Sequence, residues 1–383
     1  MPWKTMDVQE QRVRFVVLAS RGEKPFSALC QEFGIARPTG YEWVSRYAAE
    51  GLAGVVERSR RPHCSPRQTA RDTELAVVGL RQRYPDWGAR KLQRILANGG
   101  LNLTVTTIHR IVQRHGLIVA PRISVPAVQR FERSQPNELW QMDFKGPLRA
   151  GQSQGPLSVL DDHSRYLIAL EPLESGRTEA VKSSLERAFE ECGVPEAMLM
   201  DHGTPWWGVQ SPGGLTSLSL WLMKQGIGLH WGRIRHPQTQ GKVERFHGEL
   251  QRAFERRQPG LETIGEWLRA YRWEHNHLRP HEALGMATPA TRWQASPRRF
   301  NACPQPWEYP AGAHVLKVDS QGKITVGDRN WQISAALSGE RVQLVRIDER
   351  VLVFYCRTLL RELDLASQRS TIVDRWLTDS NSS

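Results

Sequence analysis

The chain has 383 residues, 39% of them hydrophobic and 24% charged. At roughly 150 residues per domain, this length predicts two to four domains with apolar cores. No apolar run reaches the roughly 18 residues of a membrane span, and the first residues lack a signal-peptide pattern, so we expect no membrane partner. The five cysteines are scattered without a CxxC pair, which excludes a disulfide framework, argues against a zinc site and predicts a cytoplasmic protein.

Positive charge is concentrated at one end of the chain. The net charge is +12, and residues 1–135 carry 22 Lys and Arg against 11 Asp and Glu, whereas the rest is near neutral. A basic arm on a near-neutral body predicts a module that binds polyanions. The arm is too apolar and too periodic for a plain solubility tail, so we expect it to bind nucleic acid.

Three short helices are predicted within residues 1–56, over 7–20, 25–33 and 37–50, because apolar residues recur there at helical spacing. Gly34 ends the second helix, so the pattern is typical of a helix-turn-helix, whose last helix enters the major groove of DNA. The alternative is a small three-helix bundle that binds protein. The candidate DNA contacts on the last helix are Arg37, Thr39, Gly40 and Arg46.

The same pattern recurs over residues 69–118, with helices predicted over 69–84, 87–97 and 106–115. We therefore expect two all-α helix-turn-helix units that together read a long DNA site. The candidate DNA contacts of the second unit are Arg90, Lys91, Thr106, Thr107 and Arg110.

Two linkers are predicted, over residues 57–68 and 119–136, where prolines and charged residues break the helical pattern. The first linker is basic, and its candidate DNA contacts are Arg58, Arg60 and Arg61. An arginine-rich segment flanked by prolines suits a narrow minor groove, where the negative potential is strongest. A plain solvated linker is the equal alternative.

An α/β domain is predicted over residues 137–295. Its strands are predicted over 139–144, 157–160, 166–170, 197–200 and 228–231, and its helices over 178–191, 215–224 and 241–257. Asp143 lies within the first strand, although aspartate is a poor strand former. Asp201 follows the fourth strand, and Glu244 lies in the first turn of the last helix. Hard divalent cations prefer such oxygen ligands, and two bound ions can serve phosphoryl transfer.

Each of these carboxylates also has a plain structural explanation. Asp201 suits a turn, and Glu244 suits the positive end of its own helix dipole. Asp161 and Asp162 are competing acids, although a hairpin turn explains them well. From the residues alone, a metal-binding triad is one of several alternatives.

Four segments carry a resemblance to a known family. They are residues 139–144 (Leu-Trp-Gln-Met-Asp-Phe), 201–203 (Asp-His-Gly), 236–247 (His-Pro-Gln-Thr-Gln-Gly-Lys-Val-Glu-Arg-Phe-His) and 273–284 (Trp-Glu-His-Asn-His-Leu-Arg-Pro-His-Glu-Ala-Leu). The first three resemble the signature blocks of DDE transposases and retroviral-type integrases. The fourth is similar to the segment that closes this domain in bacterial insertion-sequence transposases. The chain most resembles insertion-sequence family 481, which also has two N-terminal helix-turn-helix units, and the resemblance covers residues 10–295.

The resemblance implies a ribonuclease H-like core, with a five-stranded mixed sheet between helices. It implies that Asp143, Asp201 and Glu244 are the catalytic, metal-binding triad, with Mg²⁺ as cofactor and Mn²⁺ as a substitute. The family cuts the ends of an insertion sequence at its terminal inverted repeats and joins the freed 3′-hydroxyls to target DNA. Double-stranded DNA and a homo-oligomer, at least a dimer on DNA, are the implied partners, in the bacterial cytoplasm at the nucleoid. Further residues that would face the phosphates are Gln238, Lys242, Arg245 and His247.

Two functional alternatives remain open, a non-catalytic regulator derived from a transposase and an endonuclease that does not join ends. The sequence also departs from the family pattern, because His202 replaces the usual asparagine of the second block. His202 is either a neutral substitute or a proton relay. Trp206 and Trp207 lie in an extra loop, where they either stack on a splayed base or pack as a lid.

Residues 311–366 carry five predicted strands at close spacing, over 314–318, 323–326, 330–333, 341–347 and 351–355. That spacing predicts a small β-barrel. Its position resembles that of the barrels that follow the catalytic domain in integrases, which implies contact with DNA or a neighbouring subunit. A structural cap is the alternative.

Overall fold

The computed structural model describes residues 7–58, 68–118, 132–149, 154–173, 176–208, 214–232, 241–260 and 263–372. Contacts divide the chain into two compact units, Met1–Thr69 and Ala70–Ser383, here called the N-terminal and C-terminal units. The second predicted helix-turn-helix thus belongs to the same compact unit as the α/β domain. Three of the named candidate residues, Arg60, Arg61 and Gln238, lie outside the described residues.

The N-terminal unit confirms the first helix-turn-helix. Its helices are α1 (Val8–Arg21), α2 (Phe26–Glu32) and α3 (Arg37–Glu50), and a 3₁₀ turn follows α3. Gly34 has a φ of +65°, which the turn between α2 and α3 requires. The fully buried core side chains come from α1, α2 and the 3₁₀ turn and are Phe15, Val16, Leu29, Cys30 and Val55; helix α3 packs partly buried side chains against them.

Gly40 was a candidate DNA contact, and that expectation is wrong. The residue is buried where α3 crosses the other helices, and a Cβ atom there would lie 2.8 Å from Sγ of Cys30. It would also lie 3.0 Å from the ring of Phe15. Gly40 therefore lets the helices approach closely and faces away from solvent.

The second helix-turn-helix is confirmed as α4 (Arg71–Arg83), α5 (Ala89–Asn98) and α6 (Val105–Arg114). Thr104 caps α6, because its hydroxyl accepts a hydrogen bond from the backbone N–H of Thr107 at 3.2 Å. The core of these helices includes Val77, Trp87, Leu92, Ile108 and Ile111.

A mixed five-stranded sheet follows, as predicted. Its strands are β1 (Trp140–Phe144), β2 (Leu157–Asp161), β3 (Leu167–Glu171), β4 (Ala197–Met200) and β5 (Gly228–Trp231). The strand order is β3-β2-β1-β4-β5. The first three strands are antiparallel, whereas β1, β4 and β5 run parallel, so the carboxyl ends of β1 and β4 meet at one edge.

Helices cover both faces of this sheet. The helices of the first face are α7 (Thr178–Cys192) and α8 (Ser217–Lys224), and those of the second are α9 (Gly241–Arg257) and α10 (Ile264–His277). Trp140 and Met142 of β1 pack in the core that contains α7 and α8. Since strand side chains alternate between faces, Gln141 and Asp143 point toward α9. Helix α10 was not predicted from the sequence.

The C-terminal β module corrects the predicted barrel. Its strands are β6 (His314–Lys317), β7 (Lys323–Val326), β8 (Arg329–Gln332), β9 (Arg341–Ile347), β10 (Arg350–Tyr355), β11 (Thr358–Asp364) and β12 (Arg369–Ile372). Five of them form an open sheet of order β12-β11-β10-β9-β6, and β7 pairs only with β8. The closed barrel is wrong because two further strands extend the sheet and its end strands do not pair. Among the described residues, no helix is both long and apolar enough to cross a membrane.

Arg46, another candidate DNA contact, is built into the N-terminal unit. Its guanidinium lies 4.4 Å from the centre of the Trp43 ring and donates a hydrogen bond to the carbonyl of Val56 at 2.8 Å. Its side chain is 14% exposed. The Trp43 ring also receives Arg12 at 4.4 Å, so both cations help to pack the end of this unit.

We predict that Arg46→Ala lowers the free energy of unfolding by about 1–2 kcal/mol, because it removes a cation–π contact and a charged hydrogen bond. Urea unfolding followed by circular dichroism measures the loss. Arg37→Ala is the matched control, since Arg37 is exposed on the same helix and should change stability by less than about 0.5 kcal/mol. Equal effects of the two substitutions would contradict this assignment.

Candidate active site

Three carboxylates meet at the carboxyl edge of β1 and β4. Asp143 lies near the end of β1, and Asp201 directly follows β4, the parallel neighbour of β1. Glu244 lies in the first turn of α9, which packs against β1 and β2. The strand alternation that buries Trp140 on the opposite face directs Asp143 toward α9.

Electrostatic coupling links Asp143 to the other two acids. The pKa of Asp143 is raised to about 7, first by burial and then by the negative charges of Asp201 and Glu244. Burial raises the pKa of Glu244 as well. Asp143 is half-buried, whereas Asp201 and Glu244 are exposed, so the site opens to solvent. The negative charges of Asp201 and Glu244 disfavour ionisation of Asp143, and a bound cation would relieve that repulsion.

The donor chemistry of this site fits a hard divalent cation, because all three groups offer carboxylate oxygens. Within the described residues, no three His, Cys, Asp or Glu side chains lie close enough to form a ligand set as they stand. Binding of an ion would therefore draw the carboxylates closer together.

Asp201 is held by the loop that follows it. One carboxylate oxygen accepts hydrogen bonds from the indole N–H of Trp206 at 2.7 Å and from the backbone N–H of Gly203 at 2.9 Å. Trp206 is 1% exposed and stacks on Phe144, with 5.3 Å between ring centres. Since Phe144 is the neighbour of Asp143, one indole links the two acidic segments.

The tryptophan pair is used for packing in this structure. The Trp207 ring contacts the His202 ring at 4.6 Å and the Trp231 ring at 5.1 Å. Of the two alternatives for this loop, the buried position of Trp206 favours a packing lid over base stacking.

The start of α9 is fixed by a buried carboxylate that sequence reasoning treated as a turn residue. Asp162 accepts hydrogen bonds from the Gln141 side chain at 2.8 Å, from the backbone N–H of Arg133 at 2.9 Å and from the ammonium of Lys242. Gln141 in turn accepts from the backbone N–H of Val243 at 3.4 Å. Gln141 is two residues before Asp143, and Lys242 is two before Glu244. This network therefore fixes the position of Asp143 relative to Glu244.

The same network changes the role of Lys242, a candidate DNA contact. Burial lowers the pKa of Lys242 to about 8, although the ion pair with Asp162 opposes the change.

The competing acid Asp161 is also fully buried, and it accepts from the backbone N–H groups of Ser164 at 2.7 Å and Asn137 at 2.8 Å. Both competing acids thus act as structural anchors of the hairpin turn.

His247 is a further residue beside the acids. It lies one turn after Glu244, with Nδ1 3.7 Å from Asp143 and Nε2 3.1 Å from the Ser158 hydroxyl. Burial, followed by the charge of Lys145, lowers the pKa of His247 to about 3, so the ring is neutral. From the sequence we expect His247 to face the phosphates, whereas the structure buries it, with 8% of the residue exposed.

The remaining candidate DNA contacts divide by exposure. The exposed ones are Arg37, Thr39, Arg58, Arg90, Thr106, Arg110 and Arg245. Arg58 forms an ion pair with Glu50, and Thr107 is partly buried in the cap of α6. Lys91 lies among charged groups of the α/β domain, and burial followed by the charge of Arg279 lowers its pKa to about 8. Lys91 therefore faces the interior of the C-terminal unit.

Family models match the chain in a consistent order. A helix-turn-helix domain matches residues 11–63, and a homeodomain-like domain matches residues 39–112. Two integrase core domain models match residues 133–237 and 225–289. The DNA-binding matches cover both observed helix-turn-helix units, and the core matches cover the five-stranded sheet with α9 and α10.

Two curated relatives come from transposable elements. The transposase for transposon Tn552 of Staphylococcus aureus is 23% identical over 334 residues, which cover 72% of this chain and 64% of the relative. The uncharacterised 31.7 kDa protein of insertion element IS407 from Burkholderia multivorans is 25% identical over 223 residues, covering 56% of this chain and 78% of the relative. The chain thus spans just under two thirds of the Tn552 transposase.

Solved structures with a detected likeness include the simian T-cell lymphotropic virus intasome in complex with PP2A regulatory subunit B56 gamma. That match has a TM-score of 0.37 and 16% identity, and it covers 73% of this chain and 96% of the other. The HTLV-2 integrase catalytic core domain in complex with magnesium matches with a TM-score of 0.34 and 15% identity, over 42% of this chain and 97% of the other. The ordered family models and the transposon relatives support placing the chain in the superfamily of DDE transposases and retroviral-type integrases.

Proposed function

We propose that the chain is a DNA transposase of the insertion-sequence family 481 type. It binds the terminal inverted repeats of its element, cleaves the ends and joins the 3′-hydroxyls to target DNA by phosphoryl transfer assisted by two metal ions. The observation that carries the proposal is the shared site of Asp143, Asp201 and Glu244, in a chain with two helix-turn-helix units. The Tn552 transposase relative supports it.

The chemistry assigned to this site follows from its charges. The carboxylates of Asp143, Asp201 and Glu244 would hold Mg²⁺, which when bound supplies charge stabilisation and activation of an attacking oxygen at phosphorus. Cleavage by water and joining by a 3′-hydroxyl are both in-line displacements at phosphorus, so one site can serve both steps.

The chain's own residues keep this site in order. Trp206 and Gly203 orient Asp201, and the network of Gln141, Asp162 and Lys242 fixes the start of α9 and with it Glu244. These groups act through the carboxylates and have no assigned contact with DNA. The two ends of an element must be processed together, so we infer at least a dimer on DNA.

DNA recognition is assigned to the exposed residues of α3 and α6. In a helix-turn-helix the last helix reads base edges in the major groove, and cations nearby contact phosphates. Thr106 and Arg110 are exposed on α6, and Arg37 and Thr39 are exposed on α3.

We predict that Glu244→Gln binds terminal DNA like the wild type but neither nicks an end nor joins a pre-cut end. The substitution keeps shape and removes one of three anionic anchors, and it should cost only about 0.3–1 kcal/mol of stability. The assay supplies a labelled element end with an exposed 3′-hydroxyl, a supercoiled target, and Mg²⁺ or Mn²⁺. Asp143→Asn and Asp201→Asn should behave alike, and chelation by EDTA should abolish both steps in the wild type.

Glu179→Gln is the matched control, because Glu179 is an exposed glutamate in the first turn of α7. It should retain both activities. Joining by Glu244→Gln at a rate near that of the wild type would refute the triad. A wild-type chain that cuts without joining is the endonuclease of the alternative hypothesis, and one that binds without cutting is the regulator.

We predict that Arg110→Ala weakens binding of the full chain to terminal DNA by about 1–3 kcal/mol and has little effect on random DNA, as expected of a residue that reads a base. Arg114→Ala is the control on the same helix, because the Arg114 guanidinium pairs with Glu74 at 3.2 Å. Mobility-shift titrations at several salt concentrations separate specific loss from counterion release. Equal loss on both DNAs would mark Arg110 as a phosphate contact, and no loss would remove α6 as the reading helix.

A further inference from the structure

Ion pairs of a buried carboxylate connect the second helix-turn-helix to the C-terminal end of α9. Asp86, in the turn between α4 and α5, has a side chain that is 1% exposed. It accepts from Arg279 at 2.6 Å and from Arg257, in the last turn of α9, at 2.7 Å. The neighbouring Arg256 donates to the carbonyl of Pro85 at 2.9 Å.

The same cations are anchored in the α/β domain. Arg257 makes two hydrogen bonds of 2.7 Å to Glu274 of α10. Arg279, which is 4% exposed, also lies 3.2 Å from Glu249 in the middle of α9. Its guanidinium is 5.9 Å from the Trp87 ring of the second helix-turn-helix. Each arginine thus joins a residue of the DNA-binding helices to a residue of the catalytic helices.

The energetics make this contact difficult to open. Burial alone would raise the pKa of Asp86, but the charges of Arg279 and Arg257 outweigh it and lower that pKa. Burial likewise opposes ionisation of Glu249, yet Arg279 and Lys91 lower its pKa to about 2. Separating such buried pairs leaves charges without partners, which is strongly destabilising. The second helix-turn-helix and α9 therefore move as one body.

Helix α9 thereby connects two functional regions. Glu244 lies in its first turn and Arg257 in its last, 13 residues later. At 1.5 Å per residue, the two positions are roughly 20 Å apart along a single helix.

We propose that α9 acts as a ruler, which fixes the distance between the DNA sequence bound by α6 and the phosphate presented to the carboxylates. The proposal rests on the proposed function of both regions. It follows that the cut position is measured from the sequence that α6 binds, and that the terminal base pair does not define it.

The first experiment shifts the base pairs bound by α6 relative to the end of the element. Footprinting of the full chain and of Arg110→Ala on the element end identifies the base pairs whose protection depends on α6. In new substrates these base pairs are shifted by one or two positions relative to the end, and the 5′-labelled products are sized. We expect the cut to shift by the same number of base pairs, and a cut that stays at the original phosphate would overturn the ruler.

A second measurement does not depend on cleavage. Amide hydrogen exchange of the wild type should give α4–α6 and α9 the same opening free energy, because they form one body. In Arg257→Ala, exchange in α4–α6 should become faster by at least about tenfold, while β1 and β4 keep their protection. Arg269→Ala, an exposed arginine on α10, is the matched control and should change neither.

The two measurements separate the two proposals. If the unmodified end is not cut, the proposed function fails, and exchange alone then decides whether the rigid connection exists. Independent opening of α4–α6 in the wild type would refute that connection even if cleavage is normal. If cleavage is normal, Arg257→Ala should spread the cuts over neighbouring phosphates, and a single unchanged cut position would contradict the ruler.

Discussion

The carboxylate of Asp162 is the constraint on which the geometry of the candidate site depends. A carboxylate removed from water must be paired and hydrogen-bonded, and here the partners come from β1, α9 and the segment before the sheet. Gln141 brings the strand that carries Asp143, and Lys242 brings the helix turn that carries Glu244. The two acids are therefore positioned by a third that is itself inaccessible to any substrate.

Burial separates the acids that build the site from the acids that we propose act in it. Asp161 and Asp162 are fully buried, and their oxygens are occupied by donors from the chain. Asp143 is only half-buried, and the charges of its neighbours help to raise its pKa. Asp161 and Asp162 are thus paired within the chain, whereas the repulsion that Asp143 receives from its neighbours is one that a bound cation would relieve.

Local patterns in the sequence predict most of the helices and strands. The pairing of distant strands determines how the last sheet is arranged, and local patterns do not show it. Helix α9 has the predicted bounds, because its apolar residues recur at helical spacing and Gly241 opens it. Alternation of apolar residues likewise predicted β1. Helix α10 is not predicted because its surface is rich in charged and histidine residues, and β11 is not predicted because three charged residues interrupt its leucine-rich sequence. Whether the last sheet closes into a barrel depends on which strands pair, and spacing alone does not determine that.

The residues alone leave a metal-binding triad as one of several alternatives, and the resemblance to transposase signature blocks singles out Asp143, Asp201 and Glu244. The roles of Gln141 and Asp162 are not predicted, since they follow from contacts across 21 to 102 residues of chain. Arg46 and Lys91 are predicted to be surface cations because a sequence does not show which face of a helix is covered.

The pairing of Asp86 with Arg257 and Arg279 also limits how this protein can acquire a new DNA specificity. A helix-turn-helix can be replaced as a unit only if its rear surface, which packs against the rest of the chain, makes no specific ion pairs there. Here the rear surface supplies the anion that Arg257 and Arg279 require. A grafted helix-turn-helix would have to bring an acid to the turn between its first two helices. Changes confined to the outer face of α6 leave this pairing intact, and they are the easier route to a new recognition sequence.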